Sequence, residues 1–302
     1  MEIIGVDIGG TKCTVVRADA EGAIADTRSF PTGEAQDTLA KLYDVARQLI
    51  RGTDLVFGVT CGGPLDARAG LILSPPNLPG WDEVPITRDL VACFGGSAYL
   101  MNDADAGALA EWRWGAARGA EDVIFCTHGT GFGAGLILGG RLYEGATGAA
   151  GEIGHVRLEA DGPVGYGKAG SVEGFCSGGG IARLAARMAR EMGTEAPLTA
   201  RDIAESARDG DGFCHDVMKA SGRQLGRALA VLVDLFNPEV IVLGGIFPRA
   251  GDLLGDAMEE ALREEALPHS VGACRVVPAE LGGSIGERAP VAAALYRTGA
   301  LG

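Results

Sequence analysis

The 302-residue sequence contains no apolar stretch long enough to cross a bilayer. A basic leader and a small-residue cleavage site are also missing. Met1-Glu2-Ile3-Ile4 runs straight into a strand pattern, so a cytoplasmic protein without membrane partners is expected. Positive charge is scarce: 26 Lys and Arg stand against 40 Asp and Glu, a formal net charge of −14. That excludes a general affinity for nucleic acid or anionic lipid, because phosphate neutralisation needs clustered cations. It does not exclude a nucleotide site, since backbone N–H groups and helix N-termini hold a small anion locally. No CxxC spacing occurs among the seven cysteines at 13, 61, 93, 126, 176, 214 and 274. Buried reduced thiols are therefore expected in place of disulfides, and a metal cluster is disfavoured.

What is present is a globular composition rich in glycine. Apolar residues make up 47% and charged residues 22%, which excludes general disorder. The 49 glycines are roughly twice the usual share. They lie in short clusters at the ends of apolar runs, where a backbone turns sharply or approaches a ligand closely. The length admits two ordinary domains or one large one.

Residues 3–8 (IIGVDI) and 13–18 (CTVVRA) read as strands joined by the turn Gly9-Gly10-Thr11-Lys12. A third run at 24–30, a helical period through 39–50 and a buried strand at 55–59 complete a β-β-β-α-β order. A proline-rich loop at 74–81 precedes a short helix over 86–94. The run 98–101 then ends at Asn102-Asp103-Ala104-Asp105, before a helix through 106–112. From 123 the order restarts, with a strand at 123–127, a glycine loop at 129–133 and a strand at 135–138. Helical patterns at 178–193, 201–208 and 213–235 precede the apolar strand 240–243, which stops at Gly244-Gly245. A helix at 252–266, a strand at 274–278 and a terminal helix at 289–298 follow. This pattern predicts an α/β fold in two similar halves, with mixed sheets flanked by helices.

The turn Asp7-Ile8-Gly9-Gly10-Thr11-Lys12 is neither a Walker A loop nor a Rossmann GxGxxG, because it joins two strands. Its glycines let backbone N–H groups face a phosphate, Thr11 adds a hydroxyl, and Asp7 at the strand end can hold hydrated Mg²⁺. A plain glycine hairpin would not require an acid inside an apolar strand beside a Thr-Lys pair. The loop His128-Gly129-Thr130-Gly131-Phe132-Gly133 has the same hairpin setting and the same chemistry, so two such loops predict a phosphate clamp. For Asn102-Asp103 alone, a helix N-cap is the competing reading, and Asp105 is then the better cap candidate.

Taken together, DIGGTK at 7–12, PNLPGW at 76–81, NDAD at 102–105, GTGFGAG at 129–135, GEIGH at 151–155, VEGFCSG at 172–178 and VLGG at 242–245 resemble the actin-like sugar kinases. Within that group they are similar to the ROK family of repressors, open reading frames and kinases. The resemblance runs end to end. It implies an actin-like (ribonuclease H-like) two-domain fold with an ATP and sugar cleft between domains: residues 1–102 plus the terminal helix 289–302, and residues 103–288. It implies Mg·ATP as phosphoryl donor and a hexose as acceptor, glucose at O6 first. The general base falls on Asp103, which orients the sugar hydroxyl and accepts its proton. Asn102, Gly63, Asn77, Glu152, His155 and Glu173 fall on sugar-binding positions. Asp7, Gly9, Gly10, Thr11, Lys12, Thr130, Gly131, Gly244 and Gly245 fall on nucleotide-binding positions, with Mg²⁺ at Asp7 through water. A homodimer is also implied.

Two features depart from the family. Many relatives carry GH followed by CxCGxxGCxE, whose His and three Cys hold a structural Zn²⁺. Here Val164, Tyr166 and Ser171 stand at the cysteine positions. No structural zinc is expected, and packing or glycine turns must hold the loop at 164–172. The second departure is His128, where relatives carry an apolar residue; it is either a nucleotide contact or a satisfied core or surface histidine. Kinases for N-acetylmannosamine, N-acetylglucosamine, fructose or allose remain alternatives, as does polyphosphate as donor. A catalytically silent, sugar-responsive regulator is the reading from another class. A DNA-binding repressor is disfavoured by the charge and by a first strand that starts at Ile3.

Overall fold

The computed structural model describes residues 1–197 and 199–301. They divide into two compact units, Met1–Gly115 with Gly283–Gly302, and Ala116–Gly282.

The first unit carries β1 (Glu2–Ile8), β2 (Lys12–Ala18), β3 (Ile24–Pro31), α1 (Ala35–Leu49), β4 (Leu55–Cys61), the short pair β5 (Leu65–Asp66) and β6 (Leu71–Ile72), α2 (Ile86–Phe94), β7 (Ser97–Asn102) and α3 (Asp103–Trp114). Its five-stranded sheet has the order β3-β2-β1-β4-β7. The first three strands are antiparallel neighbours, and β4 and β7 join β1 in parallel. β1 and β4 are buried almost throughout. This matches their near-continuous apolar sequence, since a strand covered on both faces needs no alternation. Leu42, Leu49, Phe57, Trp81, Ile86, Leu90 and Leu100 lie in one core cluster with them.

The second unit begins with β8 (Val123–His128), β9 (Phe132–Leu138) and β10 (Arg141–Leu142). The hairpin β11 (Val164–Gly165) and β12 (Lys168–Ala169) follows, then α4 (Val172–Cys176), α5 (Gly178–Met192), α6 (Ala200–Arg208) and α7 (Gly212–Phe236). β13 (Val240–Leu243), α8 (Phe247–Glu265), α9 (Pro268–Ala273) and β14 (Arg275–Pro278) close the unit, and α10 (Ile285–Arg297) returns to the first. The sheet order is β10-β9-β8-β13-β14, again an antiparallel hairpin continued by parallel strands. Its core runs from Ile124 and Leu136 to Leu225, Leu229, Ile241 and Leu254.

The structure departs from the sequence reading at several points. The division expected at 102/103 and 288/289 lies instead at 115/116 and 282/283. The reason is that α3 packs on α10 and therefore stays with the first unit. Helix α8 starts at Phe247, not 252, and is kinked at Ala250, whose φ is −133°. The seven cysteines are free, but Cys93 is exposed on the outer side of α2 and Cys274 is only half-buried. No helix among the described residues is long and apolar enough to cross a membrane.

Candidate active site

In the first unit, three parallel strands bring their carboxyl ends together, the usual ligand-binding edge of an open α/β sheet. Asp7 on β1 pairs with Thr60 on β4, and Cys61 pairs with Asn102 on β7. Gly62 and Gly63 leave β4 at this edge. A Cβ placed on Gly62 would lie 3.8 Å from Asp103 Oδ2, and one on Gly63 would lie 3.8 Å from Asn102 Nδ2. The expected sugar-side residues Gly63, Asn102 and Asp103 thus meet around the end of β4.

The turn of residues 9–12 is held from behind. Gly9 N–H donates to Lys12 O at 3.1 Å, and the Thr32 hydroxyl donates to Gly9 O at 2.6 Å. Thr11 and Lys12 are exposed. Asn77 is exposed too, and its carbonyl oxygen would stand 2.8 Å from a Cβ on Gly10, so the PNLPGW loop lies directly on this turn.

The electrostatics of the edge are those of two carboxylates with little compensation. Asp7 is pushed up to about 6 by loss of hydration first, with the Asp103 charge adding to it; the Thr60 hydrogen bond and the Lys12 charge act the other way. Asp103 is also shifted upward by the protein mass around it, against the backbone N–H groups of Ala104 and of Asp103 itself. Its side chain is nevertheless exposed.

A divalent cation fits this donor set. The Asp7 carboxylate, a hard oxygen donor in the field of a second carboxylate, suits Mg²⁺, which keeps waters and takes only one or two carboxylates beside substrate phosphates. No group of three or more His, Cys, Asp or Glu stands together as for a metal among the described residues. That is more than a nucleotide-borne Mg²⁺ requires.

One expectation is corrected here. The cap of α3 is Asn102, not Asp105: Asn102 Oδ1 accepts from Ala104 N–H at 2.9 Å. Asp105 points into the protein, with 5% of its surface exposed. A parallel strand ending at Asn102 leaves the first free N–H groups of the helix beside that residue, so the cap falls before the base and not after it.

In the second unit the loop after β8 is bracketed on three sides. Gly178 N–H, at the start of α5, donates to Gly129 O at 2.8 Å. Gly244 N–H donates to Cys126 O at 3.0 Å, which sets the Gly244-Gly245 turn against the end of β8. Glu173 Oε2 accepts from Phe132 N–H at 3.1 Å. Thr130 is left exposed at the tip. Glu173 therefore ties the glycine loop to α4, an attachment its expected sugar role did not include. Gly178, in the run Ser177-Gly178-Gly179-Gly180, is a loop neighbour that sequence reading missed. The signal was a serine cap before three glycines.

GEIGH lies on β9. A Cβ on Gly151 would overlap the carbonyl oxygen of Ala134, and one on Gly154 would overlap that of Phe132. Only glycine allows this approach, and it sets Glu152 and His155, both exposed, beside the strand that leaves the glycine loop. The loop at 164–172, which lacks the cysteines of the zinc motif, is closed by packing. Gly165 sits on the backbone of Gly174, and Ser171 Oγ accepts from Gly174 N–H at 3.1 Å. Lys168 Nζ donates to His155 O at 2.7 Å. Tyr166, at the hairpin tip, meets the His155 ring edge-on with centroids 5.8 Å apart.

His128 is a core residue. It is 1% exposed, its Nε2 lies 2.8 Å from Cys176 O, and Nδ1 has no partner. Burial lowers its pKa to about 4, so the ring is neutral and Nε2 carries the donated proton.

Comparison with known proteins finds relatives along nearly the whole chain. A glucokinase from Thermotoga maritima is 30% identical over 295 residues, covering 93% of each chain. An N-acetylmannosamine kinase from Shigella flexneri is 34% identical over 250 residues, covering 81% of this chain and 83% of its own. Among solved structures, a ROK family glucokinase from Streptomyces griseus in complex with glucose and AMPPNP superposes with a TM-score of 0.77 at 32% identity, covering 97% of this chain and 98% of that one. A ROK family transcriptional regulator, a homologue of the E. coli MLC protein, gives a TM-score of 0.85 at 26% identity, covering 99% of this chain and 79% of that one. The α/β fold is that of the ROK sugar kinases. With residues 3–296 matched, the chain belongs to the ROK family.

Proposed function

We propose that the protein is an ATP-dependent hexose kinase, acting first on glucose at O6, with Asp103 as general base. The observation that carries this reading is the edge of the first sheet, where the Asp103 carboxylate stands at the end of β4 beside Asn102 and in the field of Asp7. The hexose hydroxyl oxygen forms a bond to the γ-phosphorus as the bond to the β–γ bridging oxygen breaks, releasing ADP, and Asp103 accepts the hydroxyl proton. The turn of residues 9–12, with Thr11 and Lys12, and the second loop, with Thr130 and Gly131, supply N–H, hydroxyl and ammonium donors to the phosphates. Asp7 would hold Mg²⁺ through water, and the ion would supply neutralisation of the phosphate charge. Gly244 and Gly245 lie under the adenosine. Gly63, Asn77, Asn102, Glu152, His155 and Glu173 hold the sugar; an epimer that misplaces one hydroxyl leaves a partner unsatisfied at about 1–3 kcal/mol. The same reading takes the protein as a cytoplasmic homodimer.

The 34% identity to an N-acetylmannosamine kinase supports a second acceptor class, the N-acetylhexosamines. ADP release with Mg·ATP and a panel of glucose, mannose, fructose, allose, N-acetylglucosamine and N-acetylmannosamine separates the two. Asp103→Asn is expected to lower turnover at least about a hundredfold while sugar binding persists. Sugar binding without turnover in the wild type would favour a regulator instead. Near-normal turnover in Asp103→Asn would remove the base assignment.

A further inference from the structure

Gly286 is the second residue of α10, in its first turn. Its surroundings in the first unit are open except in one direction. A Cβ placed there would meet only the Asp7 carboxylate, with Oδ2 at 2.9 Å and Cγ at 3.7 Å. Gly58 in the same unit is different, because a Cβ there would overlap the carbonyl oxygen of Pro290, a clash with backbone that the fold cannot relieve. At Gly286 the obstacle is the far end of a side chain. An alanine would be accommodated by turning Asp7 and nothing else.

The other carboxylate oxygen is set from the opposite direction. Thr60, with none of its surface exposed, donates its hydroxyl to Asp7 Oδ1 at 2.7 Å, and the parallel register of β1 and β4 places the two residues side by side. The strand that carries Thr60 is otherwise apolar, Leu55-Val56-Phe57-Gly58-Val59-Thr60-Cys61, so the hydroxyl stands out as the one polar side chain in it. A buried hydroxyl needs a partner, and its alternative acceptor, Val6 O, is at 3.5 Å. The positive end of the α10 dipole lies on the Gly286 side of the carboxylate.

We infer that Thr60 and Gly286 are positioning residues that together fix the Asp7 side chain in the rotamer from which it receives the hydrated divalent cation of the bound nucleotide. Thr60 holds Oδ1, and the missing side chain at 286 leaves room for Oδ2. The inference rests on the reading of Asp7 as the metal-side carboxylate.

The test uses Mn²⁺ in place of Mg²⁺ with the imido analogue of ATP, reading free Mn²⁺ by electron paramagnetic resonance so that no turnover is needed. Thermal unfolding is measured on the same samples. Gly286→Ala and Thr60→Val are each expected to weaken Mn²⁺ binding to the protein–nucleotide complex about tenfold, the loss typical of one charge-assisted hydrogen bond or its geometry. Thr60→Ser, which keeps the hydroxyl, is expected to stay within about threefold of wild type. Gly286→Ala should still unfold cooperatively and remain folded at the assay temperature, so that weakened Mn²⁺ binding reports the geometry of Asp7 and not loss of the fold. Wild-type Mn²⁺ binding in Gly286→Ala or Thr60→Val overturns the inference, as does Thr60→Ser binding as weakly as Thr60→Val. Asp7→Asn separates the two levels. If it leaves Mn²⁺ binding intact, the metal role of Asp7 fails and the inference falls with it; if it weakens binding while Gly286→Ala and Thr60→Val do not, only the positioning roles fail. ADP release by the wild type reads the kinase assignment independently.

Discussion

The two sheets share one strand order and one hairpin-then-parallel plan, yet they place opposite chemistry at equivalent points. Asp7 stands one residue before the end of β1, opposite Thr14. Thr127 stands one residue before the end of β8, opposite Gly133. The next residue is Ile8 in one unit and His128 in the other. In the first unit a charged side chain is held where hydration is poor and a second carboxylate is near. In the second, a hydroxyl accepts from Gly133 N–H at 3.1 Å, and the imidazole beside it is kept neutral by burial. A common backbone plan thus decides where a residue leaves the sheet, while the charge it can carry depends on what later elements pack against it. In the proposed reaction, the acid-bearing edge handles metal and proton, and the neutral loop offers backbone donors.

The difference has a thermodynamic signature, and acidity is the sharpest way to break it. His128 has a folded pKa of about 4 against the ordinary 6.5, so between these values the unfolded chain binds more protons. Stability is therefore lost as pH falls through that window, by ~3 kcal/mol in all. Asp7 runs the other way. Its folded pKa of about 6 lies above the ordinary 3.8, so the folded chain binds more protons between them, and stability is gained as pH falls through 6 and lost as pH rises through it. Urea unfolding in metal-free buffer from pH 7 to pH 4.5 is expected to show a steeper acid loss in Asp7→Asn and a flattened or reversed one in His128→Gln. A wild-type acid slope in His128→Gln would mean that the ring is not held neutral in the fold.

A smaller effect tests how the second unit holds the loop that lacks the zinc-motif cysteines. Ser171 caps α4 and also reaches Gly165 O at 3.3 Å, so Ser171→Ala is expected to cost about 1 kcal/mol by urea unfolding. The smallest expected effect is none. A chelator should leave the melting temperature of the wild type unchanged, and a fall would reveal a structural metal that the packing of Gly165 on Gly174 is meant to make unnecessary.

Local pattern accounts for most of the frame. The hairpins at both sheet centres were legible because an apolar run, a glycine turn and a second apolar run leave few alternatives. Helices α5, α6 and α7 fell within a residue or two of their expected ends because each is periodic and starts at a side-chain cap, Ser177, Thr199 and Asp211. The five-residue helix α4 and the β11–β12 hairpin were not legible, being too short for a period and held by contacts from Pro163 and Gly165 to Gly174. Asp105 was the expected cap because Asn and Asp are interchangeable by propensity. Only the end of β7 decides which of them meets the free N–H groups. His128 read in sequence as a surface or satisfied core residue ahead of a nucleotide contact, and the Cys176 carbonyl opposite its Nε2 decides for the core.

The sequence by itself determined the family, the order of the motifs and the identity of the acids, because these depend on residue type and spacing along the chain. What only the tertiary structure decided is which distant residues set those acids. Glu173 reaches Phe132 N–H, Thr60 reaches Asp7, and Gly286 leaves room beside it. Each of these pairings follows from a strand register or a helix packing between segments far apart in the chain, and no local pattern encodes a distance of that kind.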